Sequence, residues 1–255
     1  MRMRRKPWAR PELDASLVYI KNPADYIGKW QSAFAKEQPF VVELGCGKGS
    51  FIAQKAYAHP ENNYLAFDIK SDVLGTAKRN IEAVYGTTDC PNVRITAFDI
   101  ERINLILSPE DSVHEIYINF CNPWPKAKHK KRRLTYPRQL ESYKTFLKKG
   151  GKVFFKTDDD DLFADSIEYF KCCGFDIEFI TYDMAEKSLP ENIVTEHEKM
   201  FTEQGIKIKG LIAVNNGEPL SEKQLKEICD KFRERNEPEN ADEINRHKIE
   251  KFKNV

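Results

Sequence analysis

The chain has 255 residues, 40% of them hydrophobic, which allows a sizeable core and excludes a disordered polymer. Its 41 Lys and Arg residues balance 40 Asp and Glu residues, so any preference for a charged partner has to come from where the charges sit. No apolar run approaches the ~18 residues of a membrane span; Pro7, Arg10, Pro11 and Glu12 stand where an export signal would be apolar; and the six cysteines lack CxxC or metal-ligand spacing.

These exclusions lead to the expectation of a cytoplasmic protein with reduced thiols, no membrane contact and no metal. Arg2, Arg4, Arg5, Lys6 and Arg10 form a basic N-terminal arm around Trp8. β-Branched and aromatic runs at 40–44, 63–67, 93–98, 115–120 and 152–156 predict buried strands. Helices are predicted at 50–58, 71–84 and 137–147, the second with Val73, Ala77, Ile81 and Val84 on one face. Strands spaced by helices predict an α/β, Rossmann-like sheet, mostly parallel, with helices on both faces. A helix near 160–170 and strands at 175–182 and 208–214 bring the strand count to seven, the last pair closing the sheet as an antiparallel edge.

Residues 1–214 are read as this domain and 215–255 as a charged helical C-terminal extension. In the extension Ser221 and Gln224 fit a capping box, Leu225, Ile228, Cys229 and Phe232 make one apolar stripe, and Pro238 ends the helix. The sequence leaves both a monomer and a homodimer open.

Strand one runs into Glu43-Leu44-Gly45-Cys46-Gly47-Lys48-Gly49-Ser50. A Walker loop fails because Gly49 follows the lysine, and a dinucleotide fingerprint fails because Ser50 takes the third glycine position. Glu43 would also set a carboxylate against a pyrophosphate. A cationic ligand without phosphates fits better, since Glu43 can accept from an ammonium where Gly45 and Gly47 let the backbone come close. S-adenosylmethionine is such a ligand. Asp68 and Asp99, at the next two strand ends, are placed for its ribose hydroxyls and adenine amino group.

Strand four runs into Asn122-Pro123-Trp124-Pro125-Lys126, whose prolines turn the chain over the carboxyl edge of the sheet. Six cations follow from Lys126 to Arg133 with no acid among them. Their position beside the turn assigns Lys128, Lys130, Lys131, Arg132 and Arg133 to the phosphates of a polyanion.

Several ordered motifs together resemble the bacterial tRNA (guanine-N7)-methyltransferases, a class I S-adenosylmethionine-dependent family, over about residues 1–214. They are Met1-Arg2-Met3-Arg4 through Lys6-Pro7-Trp8-Ala9, Asn22-Pro23-Ala24-Asp25-Tyr26, the Glu43 glycine loop, and the Pro123–Lys126 turn with Lys131-Arg132-Arg133-Leu134-Thr135-Tyr136. Phe155-Lys156-Thr157-Asp158 and Thr195-Glu196-His197-Glu198 complete the set. The resemblance implies methyl transfer to N7 of a variable-loop guanosine in tRNA. It implies cofactor contacts at Glu43, Asp68, Asp99 and Asn122, and substrate contacts at Lys126, Asp158, Thr195, Glu196, His197 and Glu198.

Two positions depart from the family pattern: Asn122 stands where it usually has aspartate, and Asp68 where it usually has glutamate. Guanine N7 attacks through a lone pair that bears no proton, so the loss of an acid at 122 removes no necessary base. Asn122 and Asp158 are the candidate catalytic residues, Asn122 orienting guanine and Asp158 or Glu196 complementing the charge the base acquires. Two alternatives stay open. One is an amino-group methyltransferase, since Asn-Pro-Trp-Pro is similar to the Asn-Pro-Pro-Tyr turn; the other is a non-catalytic tRNA-binding protein of the same fold.

Overall fold

Residues 6–235 of the protein are described by a computed structural model. All seven strands read from the sequence are present: β1 Phe40–Leu44, β2 Asn63–Asp68, β3 Val93–Ala97, β4 Val113–Asn119, β5 Leu147–Thr157, β6 Phe175–Thr181 and β7 Lys209–Asn215. They form one sheet in the order β3-β2-β1-β4-β5-β7-β6. β7 runs antiparallel to both neighbours, whereas the pairs from β3 to β5 are parallel. The antiparallel strand thus lies inside the sheet, and β6 takes the edge.

The helices are α1 Ala9–Asp14, α2 Ser50–Ala58, α3 Ser71–Tyr85, α4 Pro137–Lys144, α5 Asp160–Cys172, α6 Glu196–Glu203 and α7 Glu222–Arg235. Alternation along β1 decides which of them each strand residue meets: Phe40, Val42 and Leu44 pack with residues of α4 and α5, while Val41 packs with residues of α1, α2 and α3. Both faces are therefore covered, and every residue of β1 is buried. α4 ends three residues earlier than its apolar pattern suggests, because Leu147 pairs with Val113 and opens β5.

Strand order reverses between β1, which leads outward through β2 and β3, and its other neighbour β4. Such a reversal splays the loops at the carboxyl ends of the two central strands and opens a crevice between them. At the far side, α7 keeps its Ser221–Gln224 capping box and lays Phe232 into the core that holds α4 and α5. The expected stop at Pro238 lies outside the described residues, as do Arg2, Arg4 and Arg5.

Candidate active site

The crevice is a cavity of about 400 Å³, within the size range of small-molecule sites. Its glycine loop is shaped by backbone needs that only glycine meets easily. Gly49 has φ +71°, and a Cβ there would lie 2.7 Å from that of Ala77 on α3. Gly47 has φ +53° and donates its N–H to Asp68 Oδ2 at 3.1 Å, tying the loop to the end of β2.

The three strand-end acids, Glu43, Asp68 and Asp99, meet at this cavity. Glu43 is 2% exposed; its Oε1 accepts from Asn119 Nδ2 at 3.0 Å, and its Oε2 is buried with no hydrogen-bond partner among the described residues. Burial pushes its carboxyl up to about 7, against the pull of Asn119 and the Lys156 ammonium. A buried orphan oxygen is costly unless something fills its place. Asp68 is also raised by burial, and Asp99 caps the following 3-10 helix by accepting from Glu101 N. Ile69, 63% exposed, adds an apolar side chain to the cavity lining. Cys46 and Cys121 line the cavity too, but burial pushes both thiols up, Cys121 to about 12, so neither offers a thiolate.

The turn after β4 is held by strained backbone. Phe120 and Trp124 have φ of +52° and +45°, uncommon for bulky side chains. Phe120, before either proline, thus bends the chain away from the ladder. Asn122 Oδ1 accepts from Trp124 N at 3.0 Å, which fixes the orientation of its amide. The Arg132 guanidinium stacks on Trp124 at 4.4 Å from the ring centre and pairs with Glu101, forming one rim of the cavity.

The opposite rim is the N-terminus of α6. Thr195 caps it by accepting from Glu198 N, Glu196 pairs with Lys48 of the glycine loop at 2.9 Å, and His197 stacks on Phe120. This segment is pinned from below by Lys156, 2% exposed. Its ammonium reaches Glu198 Oε2 at 2.6 Å and Asn192 Oδ1 and Ile193 O at 2.9 Å.

Glu43, Gly45, Gly47, Asp68, Asp99, Asn122, Thr195, Glu196, His197 and Arg132 therefore share one cavity. Lys126, Asp158 and Glu198 do not line it. Lys126 is exposed beyond the turn, Asp158 stands past the end of β5, and Glu198 is turned inward onto Lys156.

The assignment of Lys130 and Arg133 to phosphates is corrected. The Lys130 ammonium pairs with Asp161 and Asp165, and Arg133, fully buried, pairs with the same two acids and donates from Nε to Pro123 O at 2.6 Å. Two charges this deep need partners, and α5 supplies them from one face. Lys128 and Lys131 remain exposed. Asp161, near the start of α5, is thus drawn into this cluster, while Asp159 caps the helix. The spacing of Asp161 and Asp165, four apart and so one above the other on α5, was the available signal. Trp8, half-buried, stacks on Arg79 at 3.6 Å, and Glu12 holds that guanidinium.

Among the described residues no group of three or more His, Cys, Asp or Glu side chains could hold a metal ion, and no helix is long and apolar enough to cross a membrane.

A cavity at the strand-order reversal, a glycine loop and acids at successive strand ends define a class I, S-adenosylmethionine-dependent methyltransferase. A family model described as "Putative methyltransferase" matches residues 37–211. The tRNA (guanine-N(7)-)-methyltransferase of Clostridium beijerinckii is 57% identical over 218 residues, 85% of this chain and 100% of that protein. That of Clostridium botulinum is 55% identical over 216 residues, 84% of this chain and 99% of its own. The chain belongs to the tRNA (guanine-N(7)-)-methyltransferase family. Among solved structures, the 16S rRNA methyltransferase KamB superposes with a TM-score of 0.54 at 13% identity, covering 73% of this chain and 93% of that one, a likeness of fold.

Proposed function

We propose that this enzyme methylates N7 of the guanosine at position 46 in the variable loop of tRNA. S-adenosylmethionine, bound in the cavity, supplies an activated methyl group on a sulfonium. Glu43 Oε2 would accept from its ammonium, Asp68 from the ribose hydroxyls and Asp99 from the adenine amino group, while Gly45 and Gly47 keep the backbone close.

The observation that carries the guanine reading is the state of Asn122. Trp124 N–H on its oxygen fixes the side chain's orientation, its Nδ2 can donate, and O6 beside N7 of guanine is an acceptor. Oδ1 keeps a second lone pair, so the amino-group alternative is separated by the cleavage chemistry of the test below. No base is required, because the attacking lone pair bears no proton. The base becomes cationic as it accepts the methyl, and Glu196 on the cavity wall is the candidate to complement that charge. His197 and Phe120 present ring faces on which a base can stack. Lys126, Lys128, Lys131 and Asp158 lie outside the cavity and are assigned to the tRNA around it.

The test is nucleoside mass spectrometry of unmodified tRNA treated with the protein and labelled cofactor, followed by borohydride and aniline cleavage. Label in N7-methylguanosine and one cut at position 46 are expected. Label confined to other nucleosides would refute the reading.

A further inference from the structure

We infer that helix α7 is a positioning element that sets the exposed part of the basic segment, Lys128, Lys131 and Arg132, against tRNA. The helix begins at Glu222, past the last residue matched by the family model, and none of its residues lines the cavity.

What α7 covers is specific. Phe232, 1% exposed, stands edge-on to Tyr169 with ring centres 4.7 Å apart, and Tyr169 meets Tyr136 at 5.5 Å. The Tyr136 hydroxyl donates to Cys229 O at 3.3 Å, and Arg235 pairs with Glu168 of α5. Just before α7, Leu220 N donates to Glu141 of α4 at 2.9 Å. The two tyrosines flank the clamp that holds the basic segment. Tyr136 N donates to Arg133 O, and Tyr169 lies one helical turn beyond Asp165, the acid on Lys130 and Arg133. Arg133 in turn grips Pro123 of the active-site turn.

Packing on α7 thus fixes the angle at which the short 3-10 helix Ala127–Arg132 leaves the surface. Were the helix there for stability alone, loosening it would lower the melting temperature without changing how tRNA is held. A positioning helix changes the tRNA term and leaves the cofactor term alone.

The inference rests on the reading of Lys128, Lys131 and Arg132 as tRNA contacts, so the full-length protein is compared as Phe232→Ala, Tyr136→Phe and Lys131→Ala. Cofactor affinity is measured by calorimetry, KM for tRNA by turnover, and tRNA affinity over a salt series. For Phe232→Ala we expect cofactor affinity within about twofold of wild type, a KM for tRNA raised at least about fivefold, and a shallower salt dependence. Tyr136→Phe, which removes only the hydroxyl contact, is expected to raise that KM about twofold. A folded Phe232→Ala with unchanged KM and salt slope overturns the inference; if that variant does not fold, an unchanged Tyr136→Phe does so. Lys131→Ala separates the two claims: a salt slope it leaves unaltered refutes the contact reading, whereas a reduced slope beside an unaffected Phe232→Ala refutes the role of α7 alone.

Discussion

Arg133 Nη1 donates to Asp165 Oδ2 at 2.6 Å in the protein interior, although Arg133 closes a run of cations that reads as a polyanion grip. The run is therefore split between inside and outside. Replacing Asp165 by Ala leaves Lys130 and Arg133 short of a buried counter-charge, a loss of ~3–5 kcal/mol for pairs of this kind, softened here by Asp161. Thermal unfolding is expected to shift down by several degrees. Replacing exposed Lys128 by Ala is expected to leave the melting temperature in place and to reduce the log–log salt slope of tRNA binding by about one. Equal behaviour of the two variants would contradict the division.

The strands and the cavity's acid set were legible because both follow from short-range rules. Apolar runs spaced by helices specify the sheet, and Glu43, Asp68 and Asp99 are placed by the ends of strands. What sequence order hides is which charge meets which. The acids at 158–161 and 196–203 and the basic run look like opposite poles along the chain, yet Asp161 meets Arg133 and Glu198 meets Lys156. These contacts depend on β5, α5 and α6 arriving together, so only residue spacing such as Asp161 and Asp165 hints at them. The Thr195–Glu198 motif was visible through family likeness alone, and geometry divides it into three wall residues, the first of which also caps α6, and an inward-facing acid.

Lys156 and Glu198 make another buried pair, 2.6 Å apart with both side chains nearly inaccessible. Lys156→Met strands the Glu198 carboxylate and is expected to destabilise the fold by ~3–5 kcal/mol. The double variant Lys156→Met with Glu198→Leu removes both charges and is expected to recover most of that loss. Turnover should not return with it, because residues 192–198 have lost the ammonium that ties Asn192 and Ile193 beneath the cavity rim. A double-mutant cycle in melting temperature and kcat checks both halves. Wild-type kcat in the double variant would show that the pin has no part in catalysis.

The proposed function gives Asn122 and Glu196 separate tasks in receiving a base that gains positive charge. Asn122→Ala removes the donor proposed for guanine O6 and the acceptor that holds Trp124 N, so kcat is expected to fall ~100-fold or more. Asn122→Asp keeps an acceptor for Trp124 N and adds a carboxylate to the wall; kcat is expected to stay above that of the Ala variant by at least ~10-fold. Glu196→Gln should lower kcat with little change in cofactor affinity, since its partner Lys48 is exposed and solvated. If Glu196→Gln turns over like the wild type in single-turnover assays, the charge complement lies elsewhere.

Glu43 gives the protein a pH dependence whose sign can be worked out. Burial raises its pKa from an ordinary 4.5 to about 7, so the folded protein retains a proton that the unfolded chain gives up. The associated stability is fully present below the unfolded value and is lost as pH rises through about 7. Glu43→Gln keeps the acceptor for Asn119 without that loss. In the absence of cofactor it is therefore expected to melt higher than wild type at pH 8 and at nearly the same temperature at pH 5. Binding an ammonium reverses the preference, because the ligand selects the carboxylate. Cofactor affinity should fall as pH drops below about 7, by at most about tenfold per unit for one proton, and binding should release that proton. Calorimetry from pH 5.5 to 7.5 in two buffers of different ionisation enthalpy reads both quantities. Glu43→Gln should bind more weakly with a flat profile, and a flat profile in the wild type would remove Glu43 as the ammonium's partner.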